Sequence, residues 1–270
     1  MAIAVFTDIH GNLEALEAIL KDIHKSGSRF HRFLPLVSRY KKRDKIDKIY
    51  FLGDAVTFGP DSSKCLKLLQ KHNVLCVVGN HEQRLIRYDK SVSEMTFGGV
   101  KHMEYIFHSL DNDDIRFIKS MPLSRVLTYK GFKLYFAHYS HDEKGLVHED
   151  LDCFREDMLD KMFEKSDCDA VFFGHQHERK LYIRPNQRSY FSLDSSGLTK
   201  GDITNYTYFD IGATANDNYD IYRIDVKYNR KKFVQKMIEH PIPEKVFFAK
   251  KFFDIDIEDK TEANLKGDNE

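Results

Sequence analysis

The chain has 270 residues, of which 41% are hydrophobic and 13% aromatic, enough apolar material for one large domain or two small ones. Its 42 Lys and Arg residues balance 42 Asp and Glu residues, which excludes a general electrostatic attraction to nucleic acid or acidic membranes. No apolar run approaches the ~18 residues of a membrane span, and the apolar start of the chain is too short for a secretory signal.

The first third of the chain alternates strand and helix patterns. Short apolar runs with β-branched residues predict strands at residues 2–7, 48–52 and 74–78. Apolar residues at helical spacing predict helices at residues 12–23 and 61–72. This alternation is typical of parallel α/β units.

The rest of the chain is helical at first and then rich in strands and turns. Helices are predicted within 93–121, with a second one starting near Asp111, and at 149–165 and 246–253. Predicted strands occupy residues 123–128, 132–137, 170–173, 189–193, 206–211, 219–226 and 232–236.

The chain contains no internal repeat or linker, which favours a single domain over residues 1–254 followed by a polar tail at 255–270. A basic and aromatic segment at 27–47 interrupts the alternation. Such a segment could bind nucleic acid through residues 29–45. An inserted surface element is the more common explanation in a chain without net charge.

The four cysteines are Cys65, Cys76, Cys153 and Cys168, and they form no CxxC pair. We therefore expect reduced, mostly buried thiols and a cytoplasmic protein.

Five short segments share one feature, because each ends an apolar, strand-like run with side chains that can bind metal. They are Asp8-Ile9-His10, Gly53-Asp54, Gly79-Asn80-His81, Ala137-His138 and Gly174-His175-Gln176-His177. Ligands of open α/β sheets bind beyond the carboxyl ends of strands, so five such ends on one edge would bring these groups together. A single Asp or His there is more often a cap or turn residue, but the ordered set indicates a shared site.

The donor types indicate a centre of transition-metal ions. Carboxylate, imidazole and amide donors suit Mn, Fe, Ni or Zn, and the set includes no thiolate. The seven candidate ligands are Asp8, His10, Asp54, Asn80, His138, His175 and His177. Seven donors are too many for one tetrahedral ion, but they suffice for two ions if one carboxylate bridges them.

The order Asp8-x-His10-Gly11-Asn12, Gly53-Asp54, Gly79-Asn80-His81-Glu82, His138, Gly174-His175-x-His177 resembles the calcineurin-like metallophosphoesterase superfamily, over positions 3 to about 225. The first motif, together with Phe58-Gly59-Pro60-Asp61, resembles its small prokaryotic phosphodiesterase-type branch. The resemblance implies an α/β fold in which two mixed β-sheets pack face to face as a four-layer α/β/β/α sandwich.

The resemblance also divides the seven ligands between two ions. The first ion would be held by Asp8, His10 and His177, and the second by Asn80, His138 and His175. Asp54 would bridge the two ions. His81 would be the catalytic residue that faces the substrate, stabilising the transition state or protonating the leaving oxygen.

Three positions depart from the phosphoprotein phosphatases of this superfamily. Those enzymes carry Asp and Arg where this chain has Thr57 and Phe58, and another Arg where it has Val78. A phosphoserine substrate would therefore lose its usual phosphate clamp.

Two positions differ from the pattern of the prokaryotic branch. This chain has Glu82 and Gln176 where members of that branch usually have Asp and Thr. Neither is a ligand by the family pattern, and we expect them to affect the ligands indirectly. The usual Pro-Gly-Ser stretch near the end is expected to be replaced here by residues 210–214.

These observations predict a phosphoesterase that acts on a small phosphorylated substrate, with a phosphodiester or a nucleotide favoured. Two ions would lower the pKa of a bridging water, and the resulting hydroxide would attack phosphorus in line with the leaving oxygen. One alternative is a serine/threonine protein phosphatase. Another, of a different class, is an inactive metal-binding scaffold for protein interaction.

Overall fold

The structure is a computed structural model that describes residues 1–25, 44–87, 96–148, 158–183, 187–212 and 219–257. Most of the predicted insertion, residues 27–43, lies outside these ranges, as do Cys153 and residues 258–270 of the predicted tail. At the end of the predicted insertion, Ile46 and Asp47 belong to a strand. At the start of the predicted tail, Ile255 is buried.

The described residues form ten strands and eight helices. The strands are β1 Ala2–Phe6, β2 Ile46–Phe51, β3 Leu75–Cys76, β4 Ser124–Tyr129, β5 Phe132–Ala137, β6 Ala170–Phe173, β7 Lys180–Tyr182, β8 Ser189–Ser192, β9 Ile203–Ile211 and β10 Tyr219–Lys227. The helices are α1 Leu13–Lys25, α2 Ser62–Lys71, α3 Asn80–Ile86, α4 Phe97–Ser109, α5 Asn112–Ser120, α6 Leu159–Met162, α7 Arg230–Glu239 and α8 Lys245–Phe253. None of these helices combines the length and apolar character needed to cross a bilayer.

The strands form two mixed sheets of five. The first has the order β10-β9-β1-β2-β3, in which β1, β2 and β3 run parallel and β9 pairs antiparallel with both β1 and β10. The second has the order β4-β5-β6-β8-β7, with β5, β6 and β8 parallel. Parallel strands end at one edge of a sheet, so the loops after them gather there.

The two sheets pack face to face, and the side chains of β1 alternate between this interface and the helices on the other face of the first sheet. Ile3 and Val5 of β1 point toward the second sheet and join a cluster that contains Phe136, Phe172 and Phe191. The alternate residues of β1 point the other way, into a cluster with α1 and α2. On the outer face of the second sheet, α6 and the residues after it pack against β6 and β8. The predicted α/β/β/α sandwich is confirmed.

The prediction of a strand at residues 232–236 is wrong, because these residues lie in α7. The Asn229 side chain accepts a hydrogen bond from the Lys232 amide at 3.1 Å and so caps the helix. Phe233 and Met237, one turn apart, are both fully buried against α8. The adjacent Phe233 and Val234 are aromatic and β-branched residues that favour a strand locally, whereas the spacing of Phe233 and Met237 is helical.

The third strand is shorter than the predicted 74–78. Only Leu75 and Cys76 pair with β2, and the amide of Val78 turns to the carbonyl of Pro122 at 3.0 Å. Of the helix predicted at 149–165, residues 149–157 lie outside the described ranges, and Leu159–Met162 is helical. The helical predictions at 12–23, 61–72 and 246–253 are confirmed to within two residues at either end.

Candidate metal centre

The loops that follow β1 and β2 are joined to each other by backbone hydrogen bonds. The amide of Asp8 donates to the Gly53 carbonyl at 3.0 Å, and the amide of His10 donates to the Asp54 carbonyl at 2.9 Å. Several candidate ligands adopt left-handed backbone conformations, which are uncommon for residues other than glycine and concentrate at functional sites. These are Asp8, His10, Asp54, His175 and His177, with φ between 47° and 68°.

Asp8, His10 and His177 form a first donor group. Nε2 of His177 lies 3.1 Å from Oδ1 of Asp8 and 3.4 Å from Nε2 of His10, and the His10 and Asp8 atoms are 3.7 Å apart. Ligands about 2.1 Å from a tetrahedral ion are roughly 3.4 Å apart. The spacing of these three donors therefore suits one ion.

A second group contains His138, Asn80 and His175. Nε2 of His138 lies 3.0 Å from Oδ1 of Asn80, and Nδ1 of His175 lies 3.2 Å from the same oxygen. The spacing again suits the ligands of a single ion. The other ring nitrogen of His175 is buried and has no hydrogen-bond partner among the described residues.

The Asp54 carboxylate lies between the two groups. Its Oδ2 is 3.2 Å from Nε2 of His138 and 3.9 Å from Nε2 of both His10 and His81. Its Oδ1 accepts a hydrogen bond from the His81 amide at 3.0 Å. One carboxylate thus faces imidazoles from both donor groups, which is the arrangement that a bridging ligand requires.

Backbone carbonyls fix the tautomers of two imidazoles. Nδ1 of His10 lies 3.2 Å from the Val56 carbonyl, and Nδ1 of His138 lies 2.8 Å from the Leu52 carbonyl. Because a carbonyl can only accept, both Nδ1 atoms carry protons and Nε2 faces the acidic centre. This orientation of histidine by an outer hydrogen bond is common in metal sites.

The acidic groups are held in their ionised form despite burial. Burial alone raises the pKa of Asp8, but His177, His10 and His138 outweigh it and hold that pKa well below its usual value. Burial likewise raises the pKa of Asp54, and His138 and His81 lower it by more. Burial lowers the pKa of His138, but the adjoining Asp54 raises it to about 9. The centre therefore concentrates negative charge that a cation would neutralise.

The pKa values of His175 and His81 are lowered, in contrast to that of His138. Burial and the nearby His138 lower the pKa of His175 to about 4. Burial also holds the pKa of His81 well below its usual value, against the opposing effect of Asp54. Both rings are thus neutral near pH 7, and for the candidate ligand His175 the neutral imidazole is the form that binds metals.

Glu82 anchors the loops that carry the ligands. Its Oε2 accepts from the amides of Asp54 at 2.8 Å and Gly79 at 2.9 Å, and its Oε1 accepts from the Ala55 amide at 2.7 Å. Burial, followed by the nearby Asp54, raises the pKa of Glu82 to about 7. The sequence indicated only an indirect role for this residue, and the structure supplies the contacts that give it one.

The segment Ser195–Gly197 also adjoins the centre, which the sequence analysis did not foresee. The Ser195 hydroxyl and the Gly197 amide both donate to the Asp8 carbonyl, at 2.7 and 2.9 Å. A side chain at Gly197 would overlap the Ile9 backbone, so only glycine fits this close approach. The usable signal was the polar sequence Asp194–Gly197 directly after the strand-like run that ends at Leu193.

The expected replacement of the Pro-Gly-Ser stretch by residues 210–214 is wrong. Asp210 pairs with Ala2, at the end of β1 opposite to Asp8, and Ile211 bonds to Met1. Residues 213–214 lie outside the described ranges.

The comparisons with known proteins concern the family and the fold of the chain. A model of the calcineurin-like phosphoesterase family matches residues 1–179. The chain is 27% identical over 258 residues to an uncharacterized protein of Methanocaldococcus jannaschii, covering 90% of this chain and 94% of the other. A crystal structure of a metallophosphoesterase from Sphaerobacter thermophilus has the same fold, with a TM-score of 0.62 and 21% identity, covering 90% of this chain and 96% of the other.

A shorter match concerns the symmetrical bis(5'-nucleosyl)-tetraphosphatase of Wigglesworthia glossinidia brevipalpis. It is 28% identical over 114 residues, which are 40% of this chain and 39% of that protein. The similarity therefore spans less than half of the tetraphosphatase.

Proposed function

The chain belongs to the calcineurin-like phosphoesterase family, and from that premise we propose that it hydrolyses a phosphodiester or a nucleotide at a centre of two metal ions. The first ion would be held by Asp8, His10 and His177, and the second by Asn80, His138 and His175. Asp54 would bridge them. The observation that supports this arrangement best is the Asp54 carboxylate, which faces His10 on one side and His138 on the other.

The residues fit such a pair of ions by their chemistry. The donors are carboxylate, imidazole and amide groups, which accept Mn, Fe, Ni or Zn. Two ions of this kind, when bound, supply a water activated at neutral pH and positive charge for the phosphoryl oxygens. Ionised Asp8 and Asp54 retain the negative charge that holds the ions in place.

His81 would act on the substrate. Its ring lines the same cavity as Asp54 and His177, and its Nε2 points toward the carboxylate of Asp54 at 3.9 Å. In the neutral ring Nε2 carries no proton, so His81 would act after taking up a proton there, and the resulting imidazolium could donate it to the leaving oxygen.

A protein phosphatase is the less favoured alternative. Thr57 takes the place of an acidic partner for His81, bonding to its Nδ1 at 2.9 Å. Val78 is buried in the apolar core and offers no charge for a phosphate. The partial similarity to a protein named as a nucleosyl tetraphosphatase favours a nucleotide over a phosphoprotein.

An inactive scaffold is the alternative of another class. A scaffold is free to lose ligands, whereas all seven candidate donors are present and lie at ligand-like separations. We also propose a cytoplasmic location, since Cys65, Cys76 and Cys168 are free thiols.

A substrate panel tests the proposal. The chain, loaded separately with Mn²⁺, Fe²⁺, Ni²⁺ or Zn²⁺, would be assayed on bis(p-nitrophenyl) phosphate, a 5'-mononucleotide, a dinucleoside polyphosphate and a phosphoserine peptide. We expect hydrolysis of at least one of the first three to exceed that of the peptide, and to stop when the metal is chelated. A chain that binds metal and hydrolyses none of the four would support the scaffold.

A further inference from the structure

A cavity of about 450 Å³ opens directly beside the candidate metal centre. One side of it is lined by Asp54, His81 and His177, and another by Phe58, Phe248 and Phe252. Cavities of about 300–1,000 Å³ are typical of small-molecule sites, in which apolar walls bind the body of a ligand and a few polar groups orient it. The space is thus suited to a substrate whose phosphate lies at the donors and whose remainder lies against aromatic rings.

Phe58 connects the two sides. Its ring centroid lies 4.7 Å from that of His10 and 4.9 Å from that of His81. On its other side it stacks on Phe252, with centroids 4.3 Å apart and planes inclined by 19°. The backbone of Phe58 has φ of 60°, an uncommon conformation for a bulky residue. The loop after β2 therefore holds an aromatic ring directly beside the donors.

The C-terminal helix α8 supplies the rest of the wall. Phe248 and Phe252 are one turn apart and so share a helix face. Phe248 is nearly buried, while Phe252 and Phe58 remain partly exposed to the cavity. Helix α8 lies beyond residues 1–179, the part that matches the family model. The candidate metal ligands thus lie in the part of the chain that matches the family model, and two of the three phenylalanines lie outside that part.

Two cations line the same cavity. Nζ of Lys251 lies 5.3 Å from the ring centroid of Phe252, and Arg84 is a further lining residue. Lysine and arginine beside aromatic rings suit a ligand that is both flat and anionic.

We propose that Phe58, Phe248, Phe252 and Lys251 form a nucleoside-binding wall, which selects phosphate substrates that carry a nucleobase. This inference rests on the proposed phosphoesterase function and specifies the substrate class for the same site. Every nucleobase has a π face that can stack on aromatic side chains, so this contact does not depend on which base the substrate carries. A sugar phosphate or a phosphoserine side chain has no such face and would leave the rings in contact with water.

Two substrate pairs isolate the contribution of the base. AMP and ribose 5-phosphate share the same 5'-monoester and differ by the base. Thymidine 5'-(p-nitrophenyl phosphate) and methyl p-nitrophenyl phosphate share the same leaving group and differ by the nucleoside. For the metal-loaded chain we expect kcat/KM to be at least about tenfold higher for the nucleoside member of the pair that is hydrolysed.

Variants of Phe252 test the wall itself. In Phe252→Ala and in Phe252→Leu, which keeps apolar volume but lacks a flat ring, the ratio of kcat/KM within a pair should fall about tenfold. Phe252→Tyr keeps the ring and should keep the ratio. Phe107 is the matched control, because it is a phenylalanine on another helix, is 37% exposed and does not line the cavity. Phe107→Ala should also keep the ratio.

Equilibrium dialysis gives a readout that does not depend on turnover. Adenosine, which has no phosphate, should bind to the metal-free chain more tightly than ribose, and Phe252→Leu should remove this difference. A wild-type ratio near one, or a ratio that survives Phe252→Leu, would overturn the proposal. If no phosphate ester is hydrolysed but adenosine still binds at Phe252, the phosphoesterase proposal fails while the nucleoside-binding wall stands.

Discussion

The Thr57 hydroxyl lies 2.9 Å from Nδ1 of His81 and donates its own proton to the Val56 carbonyl at 2.5 Å. A hydroxyl has one proton, so Thr57 can only accept from His81. Nδ1 of His81 therefore carries the proton, and Nε2 is the atom presented to the cavity. Thr57 thus orients His81 and does so without the negative charge of an acidic partner.

Removing the Thr57 hydroxyl should slow turnover, because the His81 ring would lose the acceptor that orients it. Thr57→Val loses the acceptor at nearly constant volume, and we expect kcat to fall about tenfold with unchanged metal content. Thr57→Ser keeps the hydroxyl and should retain most of the activity. His81→Ala should lower kcat by about 10²–10⁴ and also leave the metal in place.

A double-mutant cycle checks that the two residues act together. If Thr57 works by orienting His81, Thr57→Val should have little further effect in the His81→Ala background. Equal tenfold losses in both backgrounds would show that Thr57 acts elsewhere.

Asp54→Asn should weaken both metal sites together. The amide keeps the shape but removes the charge that faces His10 and His138, so metal content measured by elemental analysis should fall to less than about half of the wild-type value. Asp225→Asn, a change at an exposed carboxylate paired with Arg223, is the control and should not alter it. Selective loss of one ion alone would argue against a shared carboxylate.

Glu82→Gln should disturb the loops that carry the ligands. The glutamine amide keeps only one acceptor, so its NH2 would face backbone N–H groups that now have an acceptor, either those of Asp54 and Gly79 or that of Ala55. We expect a loss of about 1–3 kcal/mol in the free energy of unfolding and a metal affinity lower by about 10–100-fold. Denaturant titration and metal titration measure the two effects, with the exposed Glu178→Gln as control. An unchanged unfolding midpoint would contradict the anchoring role.

The stability of the metal-free protein should fall as the pH rises above neutrality. The pKa of His138 is raised from 6.5 to about 9 by Asp54, so its contribution is full below pH 6.5 and is lost as the pH rises through about 9. The loss in unfolding free energy should approach roughly 3 kcal/mol. Asp8 and Asp54, whose pKa values are lowered, stay ionised throughout this window.

Denaturant titrations at pH 6.5 and 9 in the presence of a chelator measure this loss. The metal-loaded protein should not show it, because metal binding favours the unprotonated imidazole. His138→Gln should flatten the dependence in the metal-free protein. Stability that is constant or rises between these pH values would contradict the pairing of His138 with Asp54.

The sequence pattern was sufficient for the alternation of strands and helices and for the gathering of the donors, whereas the family resemblance implied the sandwich. Asp8, Asp54 and His138 each follow an apolar strand, and the common edge of parallel strands brings such positions together. The spacing of His175 and His177 placed a further pair at the same edge. Local pattern and strand direction carry this information, so no long-range contact had to be known.

Other features depend on contacts between distant parts of the chain. The role of Glu82 comes from amides up to 28 positions away, and Ser195 reaches the site through the Asp8 carbonyl. Helix α7 was taken for a strand because the adjacent Phe233 and Val234 favour strands locally, and the burial of Phe233 and Met237 against α8 identifies the helix. The position of Phe252 beside Phe58 likewise follows from tertiary packing.

The most direct test of the dinuclear centre is an anomalous difference map from crystals of the Mn²⁺-loaded chain. Two peaks about 3.5–4 Å apart are expected, with Asp54 between them. One peak should adjoin Asp8, His10 and His177, and the other Asn80, His138 and His175. A single peak, no peak, or peaks away from these side chains would contradict the centre on which the function rests.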